Sequence, residues 1–239
     1  MNVLSILTPL GFIILSLVCI VLVLLGLRHI LPKTSFELAR QQKIWWGTLI
    51  GIVIWLTFIS VFSLIGFFSN FSTIPPRMFI VLGLPLIIII YITFTPAMKE
   101  ILAATPPQWL MQVQVFRVVV EILIWMLFIQ NLAPVQMTFE GRNWDILSGL
   151  LGPVFGIFCF TQGKWKRSWA IFYNLLGLAL LANILGLAIL SFPTPFRLFM
   201  NEPANTIVAE FPYVWLPGIL VTMAYSMHFF SLRQMRLLR

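Results

Sequence analysis

Seven long apolar runs, separated by short polar segments, occupy most of the chain. A bilayer core about 30 Å thick needs roughly 20 apolar residues in a helix, and each run provides or nearly provides them. The pattern therefore predicts an all-α fold, a polytopic membrane bundle of seven transmembrane helices that forms a single domain over residues 1–239. The predicted helices cover about residues 4–27, 44–69, 78–98, 109–133, 145–162, 168–191 and 209–231, and the fifth is the shortest.

The composition supports a membrane location. Of the 239 residues, 60% are hydrophobic and 9% are charged, whereas soluble domains average about 45–50% apolar and about 25% charged residues. So few charges could not cover the surface of a water-soluble domain of this size. We expect a multi-pass protein of the bacterial inner (plasma) membrane whose main partner is the lipid bilayer.

The distribution of the basic residues predicts how the bundle is oriented in the membrane. The chain has a net charge of +8, but this does not indicate a nucleic-acid partner, because the basic residues lie between the apolar runs, where cytoplasmic loops and lipid headgroups explain them. Three of them, Arg77, Arg142 and Arg197, fall on one predicted side, and Arg117 falls within a helix. The positive-inside rule therefore predicts an external N-terminus and a cytoplasmic C-terminus. The other eleven share the opposite side: Arg28, Lys33, Arg40, Lys43, Lys99, Lys164, Lys166, Arg167, Arg233, Arg236 and Arg239.

Two charged residues interrupt the fourth apolar run. A charge near the bilayer centre costs about 2.5–3.5 kcal/mol on insertion scales, so Arg117 and Glu121 need compensating partners. At 100° per residue, Gln114, Arg117, Glu121 and Trp125 form one stripe of the predicted helix. The stripe must therefore face the bundle interior, a cavity or a partner chain.

Glu121 needs a hydrogen-bond donor, either Arg117 or a group on a neighbouring helix. Polar side chains at a similar predicted depth occur on the third, sixth and seventh helices. We expect them to converge with the stripe in a polar pocket that opens to the cytoplasm. The candidate residues are Tyr91, Asn174, Asn183, Thr222 and Tyr225.

The Arg117–Glu121 pair allows two functional interpretations and one structural one. Glu121 could gain and lose a proton during coupled transport, with Arg117 controlling its pKa. Alternatively, Arg117 could bind an anionic substrate or a lipid headgroup. In the structural interpretation, a permanent ion pair fixes the register of the helices.

Two polar segments on the predicted outer side have simpler interpretations. Residues 140–145 (EGRNWD) precede the fifth helix, where Asn143 or Asp145 is expected to cap its N-terminus. Residues 191–209 are rich in proline and aromatic residues, which is typical of a short lid across the interface or of a plain connector.

The sequence predicts no cofactor and no metal site. His29 and His228, at the inner ends of the first and seventh predicted helices, could together ligate a haem. Each stands alone in its helix, however, and a polar residue at the membrane interface explains each of them better. Cys19 and Cys159 both lie inside apolar runs, without the spacing of a metal site.

Three classes of function remain open. The favoured one is a small transporter or permease that moves a small-molecule or ionic substrate past Arg117 and Glu121. The second is a receptor-like or accessory subunit whose charge pair recognises another membrane protein. The third, a membrane enzyme acting on a lipid-soluble substrate, is less favoured, because the chain has no P-loop, GxSxG or HExxH motif and offers no catalytic residue.

Overall fold

A computed structural model of the chain describes residues 3–161 and 166–237. Within these residues the regular secondary structure is entirely helical, which confirms the all-α prediction. Lys164 and Arg239, which contribute to the charge asymmetry, lie outside the described residues.

The described residues form nine α-helices of very different lengths. A π-helical turn, Leu216–Leu220, leads directly into the last of them. The helices are α1 (Val3–Ile30), α2 (Leu38–Leu64), α3 (Met78–Thr93), α4 (Pro96–Ala104), α5 (Pro107–Gln112), α6 (Phe116–Ile129), α7 (Ile146–Phe160), α8 (Arg167–Leu190) and α9 (Val221–Leu237).

Not every apolar run forms one long helix. Among the described residues, four helical runs are long and apolar enough to cross a membrane: Val3–Lys33, Leu38–Leu64, Pro107–Ile129 and Arg167–Leu190. A fifth results if α3 and α4, which are bent by 77° relative to each other, count as one broken span. At 1.5 Å per residue, the 15 residues of α7 extend only about 22 Å, which is less than the bilayer core needs.

The helix in the seventh apolar run begins at a later residue than predicted. Residues 210–214 form turns, and the helix starts at the π-helical turn rather than near residue 209. Pro212, which has no N–H to donate, lies within these turns. Apolar composition alone does not distinguish such buried turns from a helix, because both are packed inside the bundle.

The helix α7 packs closely against the run Pro107–Ile129 through three glycines. A Cβ atom on Gly152 would lie 2.5 Å from the carbonyl oxygen of Met111, and one on Gly149 would lie 2.9 Å from the backbone nitrogen of Val118. A Cβ atom on Gly156 would lie 3.2 Å from the carbonyl oxygen of Gln108. These contacts make α7 antiparallel to that run and place its first turn beside the middle of the run.

The chain between α6 and α7 must therefore turn back into the bundle. Irregular backbone is tolerated at membrane depth only where protein buries it or where it lines a cavity. Gln136, Met137 and Thr138, within this segment, are all buried. We call residues 130–145 the inward segment.

Residues 191–209 lie against the same end of the bundle as the start of the inward segment. The Gln136 side chain donates to Ser191 Oγ over 2.8 Å, and Asn205 Nδ2 donates to the carbonyl oxygen of Ala188 over 3.3 Å. Ser63 Oγ on α2 donates to the carbonyl oxygen of Ala209 over 2.7 Å. These residues close one end of the bundle.

Replacing Gly152 by alanine tests the close packing of α7. The added methyl group would meet the Met111 carbonyl oxygen and, at 2.9 Å, the Tyr173 hydroxyl. We expect this overpacking to lower the free energy of unfolding by about 1–3 kcal/mol. The measurement is unfolding of the purified protein in detergent by heat or by SDS.

Gly186→Ala is the matched control, because nothing lies within 4 Å of a Cβ atom at that position in α8. Its stability should stay the same or rise by about 0.5–1 kcal/mol, since glycine weakens a helix. Equal losses in both variants would contradict the packing of α7 described above.

Candidate functional site

Arg117 lies at the centre of a buried polar network. Its side chain is only 2% exposed, and its guanidinium forms a bidentate ion pair with Asp145, with Nε at 2.8 Å from Oδ2 and Nη2 bonded to Oδ1. Nη1 donates to Ser148 Oγ over 2.6 Å and lies 2.9 Å from His228 Nε2. Nη2 also reaches the carbonyl oxygen of Gly177 at 3.4 Å. All five N–H bonds of the guanidinium thus have an acceptor within this network.

The tautomer of His228 follows from these contacts. Arginine only donates hydrogen bonds, so His228 Nε2 must accept from Arg117, and the imidazole is neutral with its proton on Nδ1. Nδ1 then donates to Asn174 Oδ1 over 2.9 Å, and Asn174 Nδ2 donates to Ser231 Oγ over 2.9 Å. A continuous chain of hydrogen bonds therefore links Asp145 to α8 and α9.

The packing around this network depends on Gly177. A Cβ atom there would overlap the imidazole ring of His228 and would lie 2.8 Å from Ser148 Oγ. The nearby Tyr173 hydroxyl donates to the carbonyl oxygen of Ser148 over 3.0 Å. Glycine on α8 thus lets the histidine reach Arg117.

Glu121 does not pair with Arg117, which corrects the expected Arg117–Glu121 ion pair. Its Oε2 accepts from Asn143 Nδ2 at 2.5 Å. Among the described residues no group donates to its other oxygen, Oε1, although the residue is only 1% exposed. An arginine four residues before a glutamate is the weaker order for a pair within one helix, and Asp145 offers Arg117 a bidentate partner instead.

Residues 140–145 lie along the stripe of α6 rather than in an external loop. Asp145 occupies the N-cap position of α7, but its side chain makes no capping hydrogen bond there because Arg117 binds it. The expectation that Asn143 or Asp145 caps this helix through its side chain is therefore wrong. Three contacts, each one helical turn or about 6 Å from the next, join the two segments: Trp125 with Glu140, Glu121 with Asn143, and Arg117 with Asp145.

A small cavity lies beside Glu121 and Asp145. Its volume is about 60 Å³, well above the roughly 10–15 Å³ that one buried water needs, so it can hold water. Among the described residues that line it, Glu121 and Asp145 are the polar ones, and the rest are apolar, most of them on α3, α6, α8 and the π-helical turn. Phe192 and Val208, from residues 191–209, also line it, so it lies toward the end that those residues close. None of the side chains expected to converge on a polar pocket with the stripe lines this cavity, namely Tyr91, Asn174, Asn183, Thr222 and Tyr225.

Four of the residues singled out in the sequence are buried in or near the network. Arg117, Glu121 and Asn174 belong to it directly. Gln114 is fully buried, and its Nε2 donates to the carbonyl oxygen of Ala224 over 3.0 Å. Gln114, Arg117 and Glu121 of the stripe therefore all point into the bundle.

The remaining candidates, which include Thr222, make their hydrogen bonds outside this network. Tyr91 is 74% exposed on α3, and Asn183 is exposed and donates to the carbonyl oxygen of Arg142 over 2.9 Å. Tyr225 is buried, but its hydroxyl donates to Thr222 Oγ1 over 3.2 Å. Their positions along the chain give the depth of each side chain, but without tertiary contacts they do not give the direction in which it points.

Sequence reasoning missed Asp145, Ser148 and His228 as partners of Arg117. The sequence did contain one indication of Asp145. The chain has only seven acidic residues and few of them lie near Arg117 in sequence, so Asp145 was one of a small number of possible carboxylate partners. His228 is fully buried in the network, while His29 is exposed and lies 2.7 Å from the Lys33 ammonium. The two histidines considered for a haem therefore have different environments.

Removing Arg117 should destabilise the protein strongly. In Arg117→Gln the carboxylate of Asp145 would stay buried without its partner, and the loss of one member of a buried ion pair costs about 3–5 kcal/mol. Adding Asp145→Asn should recover part of that loss, because the double variant leaves no unpaired charge. Unfolding in detergent measures all of these variants.

Arg197→Gln is the control for this experiment. It removes the 3.0 Å ion pair with Glu202, whose side chain is 73% exposed, and the hydrogen bonds that Arg197 donates to the carbonyl oxygens of Phe199 and Asn201. We expect a much smaller loss of stability than in Arg117→Gln, because water solvates the remaining carboxylate. Comparable destabilisation by Arg117→Gln and Arg197→Gln would contradict the central position of Arg117.

The comparisons with known proteins give a family but no function. No curated protein and no solved structure matches the chain. Residues 75–236, about two thirds of the chain, match the model of a family described as a domain of unknown function, and the match includes the whole buried network and the residues that line the cavity. The chain therefore belongs to this family, Domain of unknown function (DUF8737).

Proposed function

We propose that the protein is a small transporter or permease in which Glu121 gains and loses a proton at the wall of the cavity. The observation that carries this proposal is the carboxyl group of Glu121, which is buried beside an apolar cavity and held by one neutral amide. Such a group can change its protonation state without breaking an ion pair. Ionisable residues inside membrane proteins typically mark substrate pathways or proton relays.

The satisfied state of Arg117 favours a role for Glu121 over one for the arginine. Each N–H bond of the guanidinium already has an acceptor in Asp145, Ser148, His228 or Gly177, so an anionic substrate or lipid headgroup would have to displace one of them. In contrast, Glu121 Oε1 has no such partner among the described residues. Arg117 and Asp145 therefore form the fixed part of the site, and Glu121 the reactive part.

The same geometry argues against the other two classes of function, an accessory subunit and a membrane enzyme. An accessory subunit that recognised a partner through Arg117 would present the stripe of α6 to lipid in the monomer, but residues 140–145 of the same chain cover it. An enzyme acting on a lipid-soluble substrate would need its polar groups near a lateral opening. The Arg117 network is instead enclosed between α6, α7, α8 and α9.

We also propose that the chain crosses the bacterial inner membrane seven times, with its N-terminus outside and its C-terminus in the cytoplasm. Ser35 Oγ donates to Glu100 Oε2 over 2.7 Å, and Arg233 Nη2 donates to the carbonyl oxygen of Thr95 over 3.1 Å. These bonds bring the first loop, α4 and the end of α9 together at one end of the bundle. The segments that meet there carry most of the basic residues, as cytoplasmic segments do.

Cysteine labelling tests this orientation. In a background in which the buried Cys19 and Cys159 are replaced by alanine, a membrane-impermeant maleimide should label Glu202→Cys in intact cells. Lys33→Cys, an exposed position near the opposite end, should react only after the cells are permeabilised. The reverse pattern would contradict the proposed orientation.

The transport function is testable in liposomes that contain the purified protein and a trapped pH dye. We expect at least one solute from a panel of membrane-impermeant cations, anions and neutral molecules to change the internal pH. In Glu121→Gln this change should fall to the level of protein-free liposomes, because an amide cannot take up the proton. Glu202→Gln, a change at an exposed carboxyl that does not line the cavity, should behave like the wild type.

The proposal fails if no solute produces a protein-dependent pH change, or if Glu121→Gln responds like the wild type. Gel filtration of each variant before reconstitution shows whether the protein has folded.

A further inference from the structure

We propose that the substrate is a small monovalent organic cation of the alkylammonium class, which binds at Glu121 in exchange for its proton. This inference rests on the proposed transport function and adds to it the chemistry of the ligand. It follows from the charges at the cavity, from the lining of its wall and from the free oxygen of Glu121.

The wall of the cavity suits a cation with an apolar body. Glu121 and Asp145 are the polar residues among the described ones that line it, and their carboxylates are hydrogen-bond acceptors, not donors. An anion would find no donor there, and the hydroxyl groups of a sugar would be buried against apolar side chains at a high cost. Methyl and methylene groups, in contrast, match the apolar wall.

The balance of charge fixes the charge of the ligand. Both oxygens of Asp145 are bonded to Arg117, and these two charges cancel. His228 is neutral, and α3, α8 and the π-helical turn present apolar side chains to the cavity. Ionised Glu121 therefore leaves one uncompensated negative charge, and a proton or one monovalent cation restores neutrality.

A metal ion fits this cavity poorly. Hard metal cations take six or more oxygen ligands, but among the described residues that line the cavity Glu121 supplies the one carboxyl group that is not already in an ion pair. No group of three or more metal-binding side chains occurs among the described residues. Phe192 lines the same cavity, and an aromatic ring attracts an alkylammonium group through its face.

The exchange conserves atoms and charge. The O–H bond of the neutral carboxyl group of Glu121 breaks, and the proton passes to water as the cation enters. The carboxylate and the cation then form an ion pair, and no covalent bond to the cation is made. The site is neutral before and after the step, so one cation replaces one proton.

Proton release measures this exchange directly. Purified protein in detergent, without buffer and with a pH indicator, is titrated with methylammonium chloride, whose cation has two heavy atoms and so suits the size of the cavity, from a series of starting pH values between about 5 and 8. An alkylammonium ion keeps its own proton in this range, as a lysine side chain does, so any release above that seen with sodium chloride comes from the protein. We expect the release to saturate near one proton per chain in the wild type and in Glu202→Gln, and to vanish in Glu121→Gln.

A second variant separates loss of the acid from loss of folding. Glu121→Asp keeps a carboxyl group and should still release a proton, at a different concentration of the cation. Release in the wild type no greater than with sodium chloride at every starting pH, or equal release in Glu121→Gln, would overturn the inference.

The liposome panel distinguishes failure of this inference from failure of the transport function. If an anion or a neutral solute gives the Glu121-dependent pH change and methylammonium does not, transport stands and the cation assignment falls. If no solute gives a Glu121-dependent change, both fall.

Discussion

The bidentate ion pair between Arg117 and Asp145 determines how the rest of this bundle is arranged. A guanidinium near the middle of an apolar helix must find acceptors inside the protein, and Asp145 supplies two of them. To do so, it draws the start of α7 to the depth of Arg117. The short α7 and the inward segment both follow from that position, as does the row of contacts along α6.

The two carboxyl groups next to Arg117 have different environments. Asp145 has both oxygens in the ion pair, and a buried pair of this kind mainly fixes the arrangement of the helices around it, because desolvation offsets much of its attraction. Glu121, one turn away, is left with an amide partner and a cavity. The ion pair thus holds the surroundings of Glu121 in place, and this separation of roles is the basis of the proposed transport mechanism.

The sequence was sufficient to predict the all-α fold and the stripe of α6. Both follow from local rules, namely the length of apolar runs and the 100° spacing of residues along a helix. It could not predict that Asp145 rather than Glu121 pairs with Arg117, because that contact depends on an irregular segment turning inward. Tyr91 and Asn183 show the same limit, since their depth was inferred from sequence but the direction of their side chains depends on how α3 and α8 pack.

The most direct measurement is an infrared difference titration of the purified protein in lipid, which detects the C=O stretching band of a protonated carboxyl group. If Glu121 is the proton-binding group, a band should appear and disappear with pH in the wild type and in Glu202→Gln and should be missing in Glu121→Gln. A titrating band that persists unchanged in Glu121→Gln, or no titrating band in the wild type, would contradict the assignment of Glu121 as the proton-binding group.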